Sequence, residues 1–194
     1  MERTEGLIVG AGPTGLVLAL WLTRLGIRVR IIDRTAGPGT ASRALGIQAR
    51  TLELYRLLGL AEAVVAAGHR VPAVNFWTAG TRRVRVAFAA DPRDPTPYPF
   101  LLIYPQDAHE RLLIDRLATA GIRVERGTEL IGFTQDRARV VATLRTAEGA
   151  PAQVATAYLA GCDGARSTVR ETLGIGFPGG TYDRFFYVAD LAAD

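Results

Sequence analysis

Six residues near the N-terminus, Gly10-Ala11-Gly12-Pro13-Thr14-Gly15, place three glycines in the pattern G-x-G-x-x-G. An acid, Asp33, follows 18 residues past the last glycine, with Arg34 beside it. That combination suits the binding of a dinucleotide. Gly10 permits a tight turn, Gly12 lets the backbone approach a pyrophosphate, and Gly15 lets a helix pack closely on a strand. A helix opening at Pro13 and Thr14 would turn free N–H groups and its positive dipole end toward phosphates. Asp33 can accept hydrogen bonds from a ribose diol. The motif specifies a dinucleotide without saying which.

The elements around it fit that chemistry. Leu7-Ile8-Val9 is a continuous apolar run of the kind found in buried parallel strands. From Pro13 to Leu25 the pattern is helical and apolar nearly all round, with Gly26 placed as a C-cap. Arg28 to Ile32 reads as a second strand closing on Asp33, which makes a βαβ unit. Helices are expected over 48–58 and 61–67, then a hairpin of 74–77 and 84–88 turning at Ala79-Gly80-Thr81. In its second strand Val84, Val86 and Phe88 share one face, and Arg83 and Arg85 the other, which we read as solvated. The segment 91–99 carries four prolines and reads as a linker. A strand at 101–104, an amphipathic helix at 109–120 and a strand at 122–125 follow. The runs 130–134, 140–145 and 154–159 read as a meander, 166–173 as a short helix, and 185–191 as a last strand.

Composition narrows the classes. Of 194 residues, 48% are hydrophobic and 22% charged, which excludes wholesale disorder. The net charge is +4, and all 23 bases are arginine, which we read as a coding bias. The arginines are scattered, without the basic face and stacking aromatics of a nucleic-acid binder. One cysteine, Cys162, allows neither an internal disulfide nor a cysteine-based zinc site; beside an Asp-Gly turn it reads as a small buried residue. His69 and His109 lack metal-ligand spacing and read as surface histidines, while Trp21 and Trp77 read as packing residues. The apolar stretch 7–22 is about 16 residues, short of the roughly 20 a spanning helix needs, and three glycines and a proline interrupt it. No membrane or nucleic-acid partner is expected, and the chain is expected in the cytoplasm.

A plain NAD-binding domain usually continues as βαβαβ. Here helices and a hairpin follow the second strand, and a meander leads into Cys162-Asp163-Gly164. That insertion pattern looks like an FAD domain of the glutathione-reductase type.

Four features in order carry a closer likeness. They are the glycine motif with Asp33, Ser42-Arg43-Ala44-Leu45-Gly46-Ile47-Gln48, Tyr104-Pro105-Gln106 before a helix, and Gly161-Cys162-Asp163-Gly164-Ala165-Arg166-Ser167. With these the chain resembles the N-terminal portion of the FAD-dependent aromatic hydroxylases. These are single-component flavoprotein monooxygenases with the para-hydroxybenzoate hydroxylase fold.

The resemblance implies an α/β chain with a glutathione-reductase-type FAD-binding Rossmann domain, a three-stranded β-meander and an incomplete β-sheet substrate domain. Residues 1–72 and 100–176 would form the FAD-binding domain, and 73–99 and 177–194 partial strands of the substrate domain. It also implies roles. Arg43 would lie against the FAD pyrophosphate or ribityl region, where a planar permanent cation suits phosphate oxygens. Gln106 would hydrogen-bond near the ribityl chain, and Asp163 and Gly164 would serve FAD and NAD(P)H. Read without the resemblance, Arg43 could start a surface helix, Gln106 cap one, and Asp163-Gly164 form an ordinary turn.

By the same resemblance, NADH or NADPH reduces the flavin, and a flavin hydroperoxide passes one atom of O2 to a phenolic or polyketide-type aromatic. No side chain here is expected to act as an obligatory acid or base. The family's downstream Gly-Asp motif is absent from these residues, so the chain alone is expected to be incomplete for activity and to hold FAD weakly or not at all. Two alternatives stay open: an FAD-dependent reductase or dehydrogenase without oxygen insertion, and a non-catalytic dinucleotide-binding fragment.

Overall fold

The computed structural model describes residues 1–39, 46–88, 95–180 and 182–185. The N-terminal unit is β1 (Glu2–Val9), α1 (Pro13–Arg24) and β2 (Val29–Asp33). Proline at the first helical position costs α1 no hydrogen bond, and Gly26, at φ +78°, turns the chain out at its end. Next come β3 (Gly46–Ile47), α2 (Ala49–Leu57), α3 (Ala61–Ala67) and β4 (His69–Val71). The hairpin β5 (Ala73–Thr78) and β6 (Thr81–Ala87) follows. The last third holds β7 (Leu101–Ile103), α4 (Gln106–Thr119), β8 (Val124–Arg126), β9 (Glu129–Gln135), β10 (Val140–Arg145), β11 (Pro151–Gly161) and α5 (Thr168–Thr172).

Six strands form one mixed sheet in the order β8-β2-β1-β11-β10-β9. The first four run parallel, and β11, β10 and β9 pair antiparallel. Strand β1 sits in the middle, and its residues alternate between two cores. Ile8 belongs to the larger core with Leu16 of α1 and Leu113 and Leu117 of α4. Leu7 and Val9 face the other way, onto Leu144, Val154 and Val169. A strand covered on both faces needs apolar residues at every position, which is why the run Leu7-Ile8-Val9 does not alternate with polar ones. Each fully buried leucine here contributes about 1.5–3 kcal/mol.

Several expectations are corrected by the structure. Helix α4 begins at Gln106, three residues before the expected start, because Pro105 ends the extended backbone and serves as its N-cap. A small sheet, β3-β7-β4, pairs short segments whose partners are too distant in the chain for local patterns to reveal. Trp77 is not a packing residue: it is 63% exposed, and Phe76, Val84 and Val86 are exposed with it. The hairpin is therefore solvated on both faces, the arginine face included. The expected strand at 185–191 lies, apart from Phe185, outside the described residues. No helix among the described residues is long and apolar enough to cross a membrane.

His109 is the largest reversal. It is buried, not on the surface, because α4 turns that side toward α2, where the Tyr55 hydroxyl lies 2.9 Å from its Nε2. The Tyr104 ring packs on its other side. Burial pushes the Tyr55 phenol up to about 12, so it stays protonated and can donate to the imidazole. Burial likewise lowers the His109 pKa, with the nearby Glu110 charge opposing.

A histidine held neutral in the fold binds its proton more readily once unfolded, near pH 6.5. Its contribution is therefore present above that pH and fades as pH falls toward the lowered folded value. Urea denaturation at pH 7.5 and 5.5 should show the wild type losing more stability on acidification than His109→Gln does. Equal losses in the two proteins would show that His109 is not the group responsible.

Candidate functional site

Three strand ends and one helix start meet at Gly10. Its N–H donates to the Ile32 carbonyl at 2.9 Å, and the Cys162 N–H donates to the Val9 carbonyl at 2.7 Å. At φ +104°, Gly10 occupies backbone space that side chains disfavour, and a Cβ there would lie 2.3 Å from the Cys162 carbonyl oxygen. Gly15, in the first turn of α1, is just as constrained: its Cβ would lie 1.9 Å from the Gly10 carbonyl oxygen. Gly12 differs. It is the extended N-cap of α1, and a Cβ there would meet nothing within 4 Å. Among the described residues no side chain caps α1, so its first-turn N–H groups have no side-chain acceptor there.

Asp33 closes β2 beside this turn. One carboxylate oxygen accepts the Ala11 N–H at 2.7 Å; the other accepts the Thr35 N–H at 2.8 Å and the Thr35 hydroxyl at 2.6 Å. Burial by itself would raise the Asp33 pKa, but these hydrogen bonds and the Arg126 guanidinium at 3.8 Å outweigh it and hold it below the usual range. Arg126 faces Asp33 because parallel β8 pairs with β2 in that register. Its Nη1 also donates to the Gly37 carbonyl at 3.3 Å. Its buried Nη2 has no hydrogen-bond partner among the described residues.

Two further elements complete the surround. At the start of α4, Gln106 donates through Nε2 to Glu110 Oε1 at 2.7 Å. After β11, the Asp163 carboxylate accepts the Ser167 hydroxyl at 2.6 Å, and Ser167 in turn caps α5 through the Arg170 N–H. Gly164 takes φ +79°. The Cys162 thiol is raised by burial and by the Asp163 charge, which makes it a poor nucleophile.

These groups enclose an open cavity of about 570 Å³. Its wall brings together Gly10, Gly12, Pro13 and Thr14 from the turn, Asp33 from β2 and Arg34 just past it, Gln106 from α4, and Asp163 and Gly164 from beyond β11. Gly15 lies behind the wall as a packing contact. Arg43 falls outside the described residues. The sequence reading missed Thr35, Glu110 and Arg126, which also line the cavity. Glu110, one helical turn past Gln106, had a local signal in that spacing. Arg126 had none, since only strand register puts it beside Asp33. Among the described residues no cluster of His, Cys, Asp or Glu could hold a metal ion.

A family model described as FAD binding domain matches residues 3–194. The chain is 47% identical over 175 residues to 6-methylpretetramide 4-monooxygenase of Streptomyces rimosus, which covers 90% of the chain and 31% of that enzyme. Pentachlorophenol 4-monooxygenase of Sphingobium chlorophenolicum is 36% identical, across 91% of the chain and 33% of its own length. The crystal structure of p-nitrophenol 4-monooxygenase PnpA from Pseudomonas putida DLL-E4 superposes with a TM-score of 0.87 at 26% identity, covering 94% of the chain and 46% of that structure. The chain thus spans about a third of the length of these two curated relatives.

The glycines separate packing from binding. Gly→Ala inside a helix ordinarily stabilises by about 0.5–1 kcal/mol. At Gly15 the overlap with the Gly10 carbonyl should reverse the sign, with a net loss of about 1–3 kcal/mol in urea denaturation. Gly12→Ala should leave stability within about 0.5 kcal/mol. A stable Gly15→Ala protein would contradict the packing described here.

Proposed function

The chain belongs to the FAD binding domain family, and from that premise we propose that it is the FAD-holding part of an NAD(P)H-using monooxygenase that hydroxylates a phenolic or polyketide-type aromatic with O2. One observation carries this reading. A single cavity joins an uncapped helix N-terminus, a carboxylate at the end of β2, and the start of α4. Its volume lies within the range of small-molecule sites.

The residues present suit the adenosine and pyrophosphate end of FAD. The open face at Gly12 gives a pyrophosphate room to approach the first-turn N–H groups of α1 at Thr14 and Gly15. Asp33, kept ionised and fixed by Thr35 and Ala11, would accept from the ribose hydroxyls, with Arg34 at the rim. The Arg126 Nη2 offers a buried donor on the same wall. Gln106 would meet the ribityl chain, and Asp163 and Gly164 would bound the far side near FAD and NAD(P)H. Arg43 is assigned, as the resemblance implies, to the pyrophosphate or ribityl region. When bound, FAD supplies the redox and oxygen-transfer chemistry; these side chains orient it and move no proton themselves.

We assign residues 1–72 and 100–176 to a glutathione-reductase-type FAD domain whose meander is β9, β10 and β11. Residues 73–99 and 177–194 are assigned to a substrate domain. The exposed apolar side chains of the β5–β6 hairpin support that division, since they have no core of their own.

The test is a flavin absorbance titration of the purified chain, with ADP and FMN as competitors. A saturable shift that ADP reverses better than FMN is expected, with FAD lost on desalting. No shift up to about 1 mM FAD, where binding is worth less than about 4 kcal/mol, would refute the site.

A further inference from the structure

Glu110 is 4% exposed, a depth at which a carboxylate needs hydrogen-bond donors. Its two oxygens reach different parts of the molecule. Oε1 accepts from the Gln106 side-chain amide at 2.7 Å, within α4. Oε2 accepts from the Gly39 backbone N–H at 3.2 Å, 71 residues earlier in the chain. The second contact ties α4 to the glycine- and proline-containing loop that leaves Asp33. The first has a directional consequence. A carboxylate only accepts, so the Gln106 amide must turn its nitrogen toward Glu110 and its carbonyl oxygen the other way.

We propose that Glu110 is a positioning residue of the FAD site, acting through Gln106 and Gly39. It fixes which end of the Gln106 amide meets the cofactor, and it anchors the 35–39 loop as one wall of the cavity. The inference rests on the reading of that cavity as an FAD site. It assigns the two contacts to different parts of the ligand: Gln106 to the ribityl side, the loop to the adenosine side. Loss of Glu110 therefore weakens FAD more than ADP, which a general structural defect would not do.

The test combines NMR of the ¹⁵N-labelled, ligand-free chain with FAD and ADP titrations. In the wild type, a Gln106 side-chain amide proton should be downfield-shifted and slow to exchange, and it is assigned by its disappearance in Gln106→Ala. Its absence overturns the proposal without any Glu110 variant. In Glu110→Ala, which removes both acceptor oxygens, that signature should vanish and Gly39 exchange should accelerate. FAD affinity should fall about tenfold, the loss of one hydrogen bond to a charged group, and ADP affinity by less. In a Gln106→Ala background the effect of Glu110→Ala on FAD should shrink to its effect on ADP. Equal losses for FAD and ADP, undiminished in that background, overturn the proposal. A wild type that shows the amide signature yet binds neither nucleotide refutes the FAD site, and the cofactor role of Glu110 with it.

Discussion

The organisation of this chain turns on the close approach of backbone at Gly10. There the ends of β1, β2 and β11 are fastened by two hydrogen bonds, and the space that a side chain would fill is taken by the Cys162 carbonyl. Gly15 extends the same constraint into the first turn of α1, whose start is pressed against the Gly10 turn. The cavity wall follows from this contact. With α1 seated so closely, its N-terminus faces the strand ends, and Asp33 and Asp163 flank it from either side.

The electrostatics of the wall are largely settled before any ligand arrives. Asp33 is held by two backbone amides, one hydroxyl and a neighbouring guanidinium, so its charge and orientation do not depend on a partner. Such a group loses little conformational freedom on binding, so more of each new contact appears as affinity. Arg126 is the counterpart: one side of its guanidinium is engaged with the loop, and the other is buried with no partner among the described residues.

What was readable in the sequence is what local chemistry determines. The glycine turn, α1, β2 and the three antiparallel runs each have a nearby signal in spacing or periodicity, and the structure has them within a few residues. The family resemblance rested on short motifs of the same kind. The rest is set by pairing between distant segments. Arg126 meets Asp33 through parallel register, Glu110 meets Gly39 through the packing of α4 on a loop, and β3 finds β7 across more than a quarter of the chain. His109 looked like a surface residue because its burial depends on Tyr55, an element that helix periodicity in α4 cannot see. Trp77 erred the other way: its aromatic character suggested a core, but no core lies beneath it among the described residues.

The position of β11 has a consequence for how the chain is made. Strand β1 leaves the ribosome well before one of its two neighbours in the sheet, which is encoded about 150 residues later. At roughly 5–20 residues per second of synthesis, one edge of Leu7-Ile8-Val9, with its backbone N–H and C=O groups, stays without its partner for about 8–30 s. During that interval β2 and α1 are already available to cover the other side. The nascent βαβ unit is thus a half-sheet with an open, sticky margin, and it is at that margin that a chaperone would act or a misfolded pairing would begin.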